Sequence, residues 1–233
     1  SLYPEEFVFN LISEKQYQGK NESTTLLASD FELKFVCGTH QETLMLFDNL
    51  TGQGNFTIKS YADNTNAGIA TVVFEAIGTS NFKGSVSKQF EIRPKDVSSS
   101  DDILIELPTP TLAISTLYLY RYNMGDTRPQ LSISDNGEKL TAGEDYQVIY
   151  SNCQKISHDI YGNMISSNMP TATVIFKGNY VGNISKTYGI AKIALTEEDV
   201  SYQFPELIYT GSEIKISPLM IKMKLKETSY SKE

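Results

Sequence analysis

Apolar and polar residues alternate with a period of two over short stretches of this chain. Phe56 and Ile58 alternate with Thr57 and Lys59, and Tyr146, Val148 and Tyr150 alternate with Gln147 and Ile149. Val86, Phe90 and Ile92 share one parity, as do Ile184, Tyr188 and Ile190, while small or polar residues such as Ser87, Gln89, Ser185, Thr187 and Gly189 take the other. Successive side chains of a strand point to opposite faces, so this pattern predicts strands that bury one side. Lys88 and Lys186 interrupt the apolar parity at the same place, which fits a lysine near a sheet end with its stem packed and its ammonium in water. Turn signals separate the strands, among them "TGQGN" at 51–55, "TNAG" at 65–68, "DNG" at 135–137 and "GNYVG" at 178–182. Many short strands, close turns and no long 3.6-residue period predict an all-β chain built as a β-sandwich.

The alternating stretches also echo one another. "SNFKGSVSKQFEI" at 80–92 returns as "GNYVGNISKTYGI" at 178–190, and "ATVVF" at 70–74 returns as "ATVIF" at 172–176. "LTGQGNFTI" at 50–58 matches "LTAGEDYQV" at 140–148. An aromatic residue shortly before glycine opens each copy: Tyr17 with Gly19, Tyr122 with Gly125, and Tyr209 with Gly211. This layout predicts a first repeat over 1–95, a second over 96–194, and an incomplete third over 195–233. Roughly 80 residues or more are needed for a sandwich, so the tail is expected to pair with the second repeat or a neighbouring chain, or to form a shortened end.

These motifs resemble the tandem immunoglobulin-like repeats of bacterial, Gram-positive-type cell-surface and secreted proteins. The second copy carries the resemblance best, through Tyr122, Gly125, Asp145-Tyr146, Ala172-Thr173-Val174, Gly178-Asn179-Tyr180, Gly182 and Ile190. The first drifts, with Asn55-Phe56 in place of Asp-Tyr. The resemblance implies tandem immunoglobulin-like β-sandwiches in an extracellular, non-catalytic module that acts as a stalk, spacer or adhesive segment. Its partners would be a surface protein or glycan and neighbouring domains of the same chain; no cofactor is implied. The residues of the motif are structural: Tyr17, Gly19, Phe56, Phe82, Gly84, Tyr146, Tyr180 and Gly182.

Composition narrows the alternatives. In 233 residues the chain has 14 Tyr, 11 Phe and no Trp, a mixture that favours strands. A net charge of -8 argues against a phosphate-binding surface, because nucleic-acid affinity rests on Lys and Arg. No apolar run reaches membrane-spanning length. Cys37 and Cys153 fall in different repeats, which predicts two separate thiols rather than a bridge. The opening Ser1-Leu2 shows no leader, so an exported parent would carry its signal peptide outside this sequence.

Candidate chemistry is thin. His40 and His158 are the two imidazoles, each near a cysteine. In one extended strand Cys37 and His40 would point to opposite faces, and a nucleophile needs both a base and a group that orients it. An enzyme would require a pocket aligning Cys153, His158 and Asp159. The oxygens of "DNTN" at 63–66 and of Asp101-Asp102 suit calcium, although Asx-rich stretches are ordinary turn formers. Four N-x-S/T sequons occur, at Asn21, Asn49, Asn55 and Asn183; the bacterial resemblance implies that they are incidental in a chain rich in Asn, Ser and Thr. The echo breaks at two places: an insertion in the second copy (151–171) and a tyrosine-rich junction, "LPTPTLAISTLYLYRY". Tyr118 and Tyr120 in the junction, with His158 and Tyr161 in the insertion, are the candidate ligand residues. They define an alternative function, a carbohydrate-binding accessory module of a secreted polysaccharide-active enzyme. Aromatic rows can stack on sugars, but they also pack into cores.

Overall fold

The computed structural model describes residues 5–110, 118–123, 125–194, 200–202, 208, 211–213 and 221–223. The chain is all-β, with 48% of residues in strands and 3% in helical turns. In chain order the first strands are β1 (Glu5–Leu11), β2 (Lys15–Gln16), β3 (Phe31–Cys37), β4 (His40–Leu44) and β5 (Phe56–Ala62). They are followed by β6 (Gly68–Ala76), β7 (Ser85–Arg93), β8 (Lys95–Asp96), β9 (Ile103–Glu106) and β10 (Leu119–Arg121). Next come β11 (Ser132–Asp135), β12 (Glu138–Lys139), β13 (Tyr146–Ser151), β14 (Thr171–Phe176) and β15 (Tyr180–Val181). The last are β16 (Asn183–Thr187), β17 (Gly189–Ala191), β18 (Val200–Tyr202) and β19 (Ile221–Met223). No helix among the described residues is long and apolar enough to cross a membrane.

The chain divides into two compact units. One comprises 1–104, 133–147 and 174–184; the other comprises 105–132, 148–173 and 185–233. This division follows a different line from the repeat period, because it places Tyr146, Phe176 and Tyr180 of the second copy in the same unit as the whole first copy.

In the first unit a three-stranded sheet, β1-β3-β4, faces a four-stranded sheet, β2-β7-β6-β5. Phenylalanines fill the space between them. Phe7 of β1 meets Phe56 of β5 edge-on at 5.1 Å, and Phe31 of β3 and Phe9 of β1 meet Phe74 of β6 at 5.4 and 5.8 Å. Offset and edge-on aromatic pairs favour this arrangement beyond their buried area, and two sheets joined by such a core fit a β-sandwich. β7 realises the predicted alternation: Phe90 and Ile92 are buried while Gln89, Glu91 and Arg93 are exposed. Lys88 lies half-buried with its ammonium 5.7 Å from the Phe7 ring.

In the second unit β10 pairs in parallel with β17, and Leu119, Tyr120, Tyr188 and Ile190 form the buried centre. Here the sequence pattern misplaces one residue. Gly189, assigned by parity to an open face, is buried, because the 151–170 insertion folds over β17. The Ser157 and His158 amides both donate to the Ile190 carbonyl, at 2.8 and 3.1 Å, so β17 is covered on both sides. Lys186, in contrast, is exposed.

Tail strand β19 pairs antiparallel with β18, with Val200 opposite Met223 and Tyr202 opposite Ile221. Of the three expectations for the tail, this pairing with the segment just before it goes with a shortened end. Tyr209 and most of the third opening lie outside the described residues.

Candidate functional site

A cluster of charged groups sits inside the first unit, where β8 pairs in parallel with β15. Backbone bonds place its members: the Lys95 amide donates to the Asn179 carbonyl at 2.8 Å, and the Asn136 amide to the Asp102 carbonyl at 3.1 Å. Lys95 Nζ then donates to Asp135 Oδ1 at 2.7 Å and to Asp102 Oδ2 at 2.9 Å. Tyr180 Oη donates to the other Asp135 oxygen, Oδ2, at 3.1 Å. The Lys95 and Asp135 side chains are only 10% and 3% exposed, whereas Asp102 is 46% exposed. A half-open carboxylate thus guards a closed ion pair.

The electrostatics follow from this geometry. Burial pulls the Lys95 ammonium down, the Asp135 and Asp102 carboxylates pull it up, and the net shift is upward. Burial, and then the charge of Asp135, push the Tyr180 phenol far above its ordinary range, so it remains a hydrogen-bond donor. Lys95 lowers the Asp102 carboxyl. Tyr17 closes the cluster with its ring edge-on to Tyr180 at 5.4 Å. Gly182, at φ 110°, passes so close that a Cβ would lie 3.1 Å from Val97 Cγ2. No motif pointed to Lys95 or Asp135; the signal available in sequence was a lysine at the repeat boundary and an Asp-Asn-Gly turn within the second copy.

The structural motif residues occupy core and turn positions. Tyr17, Phe56, Tyr146 and Tyr180 are buried. Phe82 is half-buried against Phe35 and Phe56 at 5.2 and 5.6 Å, while Gly19 and Gly84 lie at exposed or half-exposed turns.

The candidate ligand residues do not form one surface. Tyr120 is 0% exposed, with its ring edge-on to Tyr188 at 5.7 Å and its hydroxyl donating to the Pro108 carbonyl at 2.8 Å. His158 is buried, and its Nδ1 shares a 2.8 Å hydrogen bond with Ser157 Oγ. A side chain sealed in a core offers no face to a sugar, so Tyr120 and His158 act in packing. Tyr118 and Tyr161, at 42% and 72% exposure, remain at the surface.

The cysteine–histidine pairs also resolve. Cys37 and His40 are not on one strand: a turn at Gly38-Thr39 makes them directly opposed partners of a hairpin. They therefore share a face, which corrects the parity argument. Glu5 of β1 pairs with Cys37 from the other side, so the row runs carboxylate, thiol, imidazole, and the acid does not flank the histidine as a triad requires. Cys153, His158 and Asp159 have separate partners. His158 Nδ1 bonds to Ser157 Oγ, and Asp159 accepts the Tyr161 and Asn163 amides at 2.9 and 2.8 Å within its own turn. Both cysteines are free thiols.

Several of the candidate calcium residues have protein partners. Asn64 donates to the Thr24 carbonyl, Asn66 accepts from Asn179, and Asp102 accepts from Lys95. Among the described residues no group of three or more His, Cys, Asp or Glu is placed to hold a metal ion. Compared with known proteins, the chain matches no family model, no curated protein and no solved structure.

Proposed function

We propose that this chain is a non-catalytic module of a bacterial cell surface, built of tandem immunoglobulin-like β-sandwiches, that bears load as a stalk or adhesive segment. One observation carries the reading: the opening and closing strands of each sequence copy pair in parallel and in the same register. In the first copy β2 runs beside β7, and the Tyr17 amide donates to the Arg93 carbonyl at 2.8 Å. In the second β10 runs beside β17, and the Tyr122 amide donates to the Ala191 carbonyl at 3.0 Å. Tyr17 and Tyr122 are the two openings of the echo, and Arg93 and Ala191 follow its matched isoleucines.

Parallel pairing of these two strands has a mechanical consequence. Tension applied at the start of the opening strand and at the end of the closing strand pulls the two past one another. The hydrogen bonds between them then lie across the pull and must fail together, whereas bonds at the mouth of a hairpin fail singly. Forced unfolding reports the unfolding rate directly. The test is single-molecule pulling in two geometries on the same chain. Handles at 14 and 94 load β2 against β7 in shear; handles at 68 and 92 peel β6 from β7. A clearly higher unfolding force in the first geometry is expected, and equal forces would refute a load-bearing role. Surface display and export are tested separately, by locating the parent protein in cell fractions.

A further inference from the structure

We propose that residues 82–84 of the first copy, together with Cys37, form a seat for a second copy of this chain, which docks its 192–194 segment there as a parallel strand, a reading that rests on the sequence echo and not on the load-bearing role.

The second copy contains the same seat already filled. Tyr180-Val181 pair in parallel with Lys95-Asp96, the stretch that leaves the first copy, and the Lys95 amide donates to the Asn179 carbonyl at 2.8 Å. Asn179 fastens the seat through its side chain as well, accepting from the Ala67 amide at 2.8 Å and donating to Asn66 at 2.9 Å. The docked strand passes close over Gly182, where a Cβ would lie 3.1 Å from Val97 Cγ2 and 3.5 Å from Asp96 Oδ1.

The first copy repeats the backbone of this seat without a strand upon it. Asn81, Phe82, Lys83 and Gly84 are the counterparts of Asn179, Tyr180, Val181 and Gly182. Gly84 has a φ of 96° against 110° at Gly182, yet a Cβ there would meet no atom within 4 Å. Among the described residues no strand pairs with 82–83, and the Asn81 carbonyl accepts no backbone hydrogen bond. Phe82 is half-exposed, whereas Tyr180 is buried with Tyr17 packed edge-on against it. An extended stretch with an open backbone acceptor and an open aromatic is a template for another strand.

The chemistry of the seat identifies its occupant. In the filled seat three polar groups meet: Lys95 from the docked strand, Asp135 and Tyr180. Asp135 closes a two-residue turn opposite Glu138, as Cys37 does opposite His40. Cys37 also precedes Asp135 by the spacing that separates Phe82 from Tyr180, so it stands in the place of the carboxylate. Phe82, held against Phe35 at 5.2 Å, stands in the place of the phenol and has no hydroxyl to offer. A lysine docked there would lose the buried carboxylate that offsets its desolvation. Glu5, opposite Cys37 on β1, is exposed, and an exposed ion pair contributes little. An apolar residue fits instead. Lys95 lies three positions after Ile92, and three positions after the matched Ile190 stands Ile193, half-exposed and outside any strand among the described residues. Ammonium, carboxylate and phenol at one seat thus become alkyl, thiol and phenyl at the other. All three change together, as they should if Ile193 of one molecule meets Cys37 and Phe82 of the next.

Seat and docking segment are different parts of the chain, so the contact is heterologous: each molecule fills a neighbour's seat and offers its own. Two strand residues and one isoleucine bind weakly between free molecules and gain most at high local concentration.

Disulfide trapping tests this on the whole chain. One molecule carries Cys37→Ala with Ile193→Cys, so that any bond to Cys37 joins two molecules; its partner is the unaltered chain. A comparison molecule carries Cys37→Ala with Leu50→Cys, which places the thiol at a position 97% exposed. In a glutathione buffer at equilibrium, the bond from position 193 to Cys37 is expected at least about tenfold more often than the bond from position 50. Equal fractions report collision alone and overturn the proposal. Gly84→Asn in the Cys37-bearing partner fills the cradle from within. With its fold confirmed by circular dichroism, it should lower the 193-to-37 fraction to the comparison level, and an undiminished fraction also overturns the proposal. Should that variant not fold, the contrast between positions 193 and 50 decides alone.

Discussion

Gly189 is a residue whose missing side chain is itself the structural feature. A Cβ there would collide with Leu119 Cδ2 and lie 2.8 Å from His158 Nδ1, and both neighbours are fully buried. Neither can retreat without opening the core. Gly189→Ala should therefore destabilise the chain by about 1–3 kcal/mol, the usual cost of overpacking, read as a lower urea midpoint with an unchanged slope. Asp30 sets a different kind of dependence. Burial raises its carboxyl, but Lys15 at 2.5 Å and the Leu27 amide at 2.6 Å outweigh burial and leave it below its ordinary value of 3.8. A group depressed in the folded state contributes stability that is complete above its unfolded value and is lost as pH falls through the folded one. Stability should thus begin to drop as pH passes below 3.8, and Asp30→Asn should flatten that limb while lowering stability near neutrality. Thermal melts of both proteins from pH 6 to pH 2 would check this; parallel curves would show that Asp30 contributes nothing to the acid transition.

At the scale of strands, β17 is held by side-chain bonds as well as by its ladder. Tyr188, at its entry, is fully buried and donates its hydroxyl to the Thr127 carbonyl at 2.6 Å. Burial pushes this phenol well above its ordinary value, so the donor persists at any working pH. Tyr188→Phe keeps the ring and leaves that carbonyl without its partner, which should cost about 1–3 kcal/mol in chemical denaturation; a loss near zero would mean that water replaces the hydroxyl. The contrast between β7 and β17 also shows what a sequence can reveal. β7 alternates cleanly because one of its faces meets solvent, and Phe90 and Ile92 could be assigned to the core from parity alone. The same parity fails at Gly189 because an insertion absent from the first copy covers the second face, and periodicity carries no information about a loop that returns from elsewhere. Cys37 and His40 failed for a related reason: three positions apart, they read as one strand until Gly38 turns the chain. The ion cluster was illegible because Lys95, Asp102, Asp135 and Tyr180 come from four separate stretches, and nothing local marks a lysine that will be buried.

For the whole molecule, charge acts as an exclusion. The chain carries 28 acidic and 20 basic residues. Among the described residues Lys15, Lys34, Lys59, Arg93, Lys95 and Arg128 also each pair with a carboxylate. Nucleic-acid affinity comes from cations free to displace counterions along a phosphate backbone, and a paired lysine would first have to abandon its partner. The surface of this chain should repel a polyanion at long range. Fluorescence anisotropy with a labelled duplex at low salt is the most permissive assay, because screening is weakest there. Binding should fall below the non-specific range of roughly 10⁻⁴–10⁻⁶ M dissociation constants and should not strengthen as salt is lowered. Salt-sensitive binding within that range would show that the basic side chains outside these pairs gather into a patch, and would count against a module whose contacts are with protein or neutral glycan.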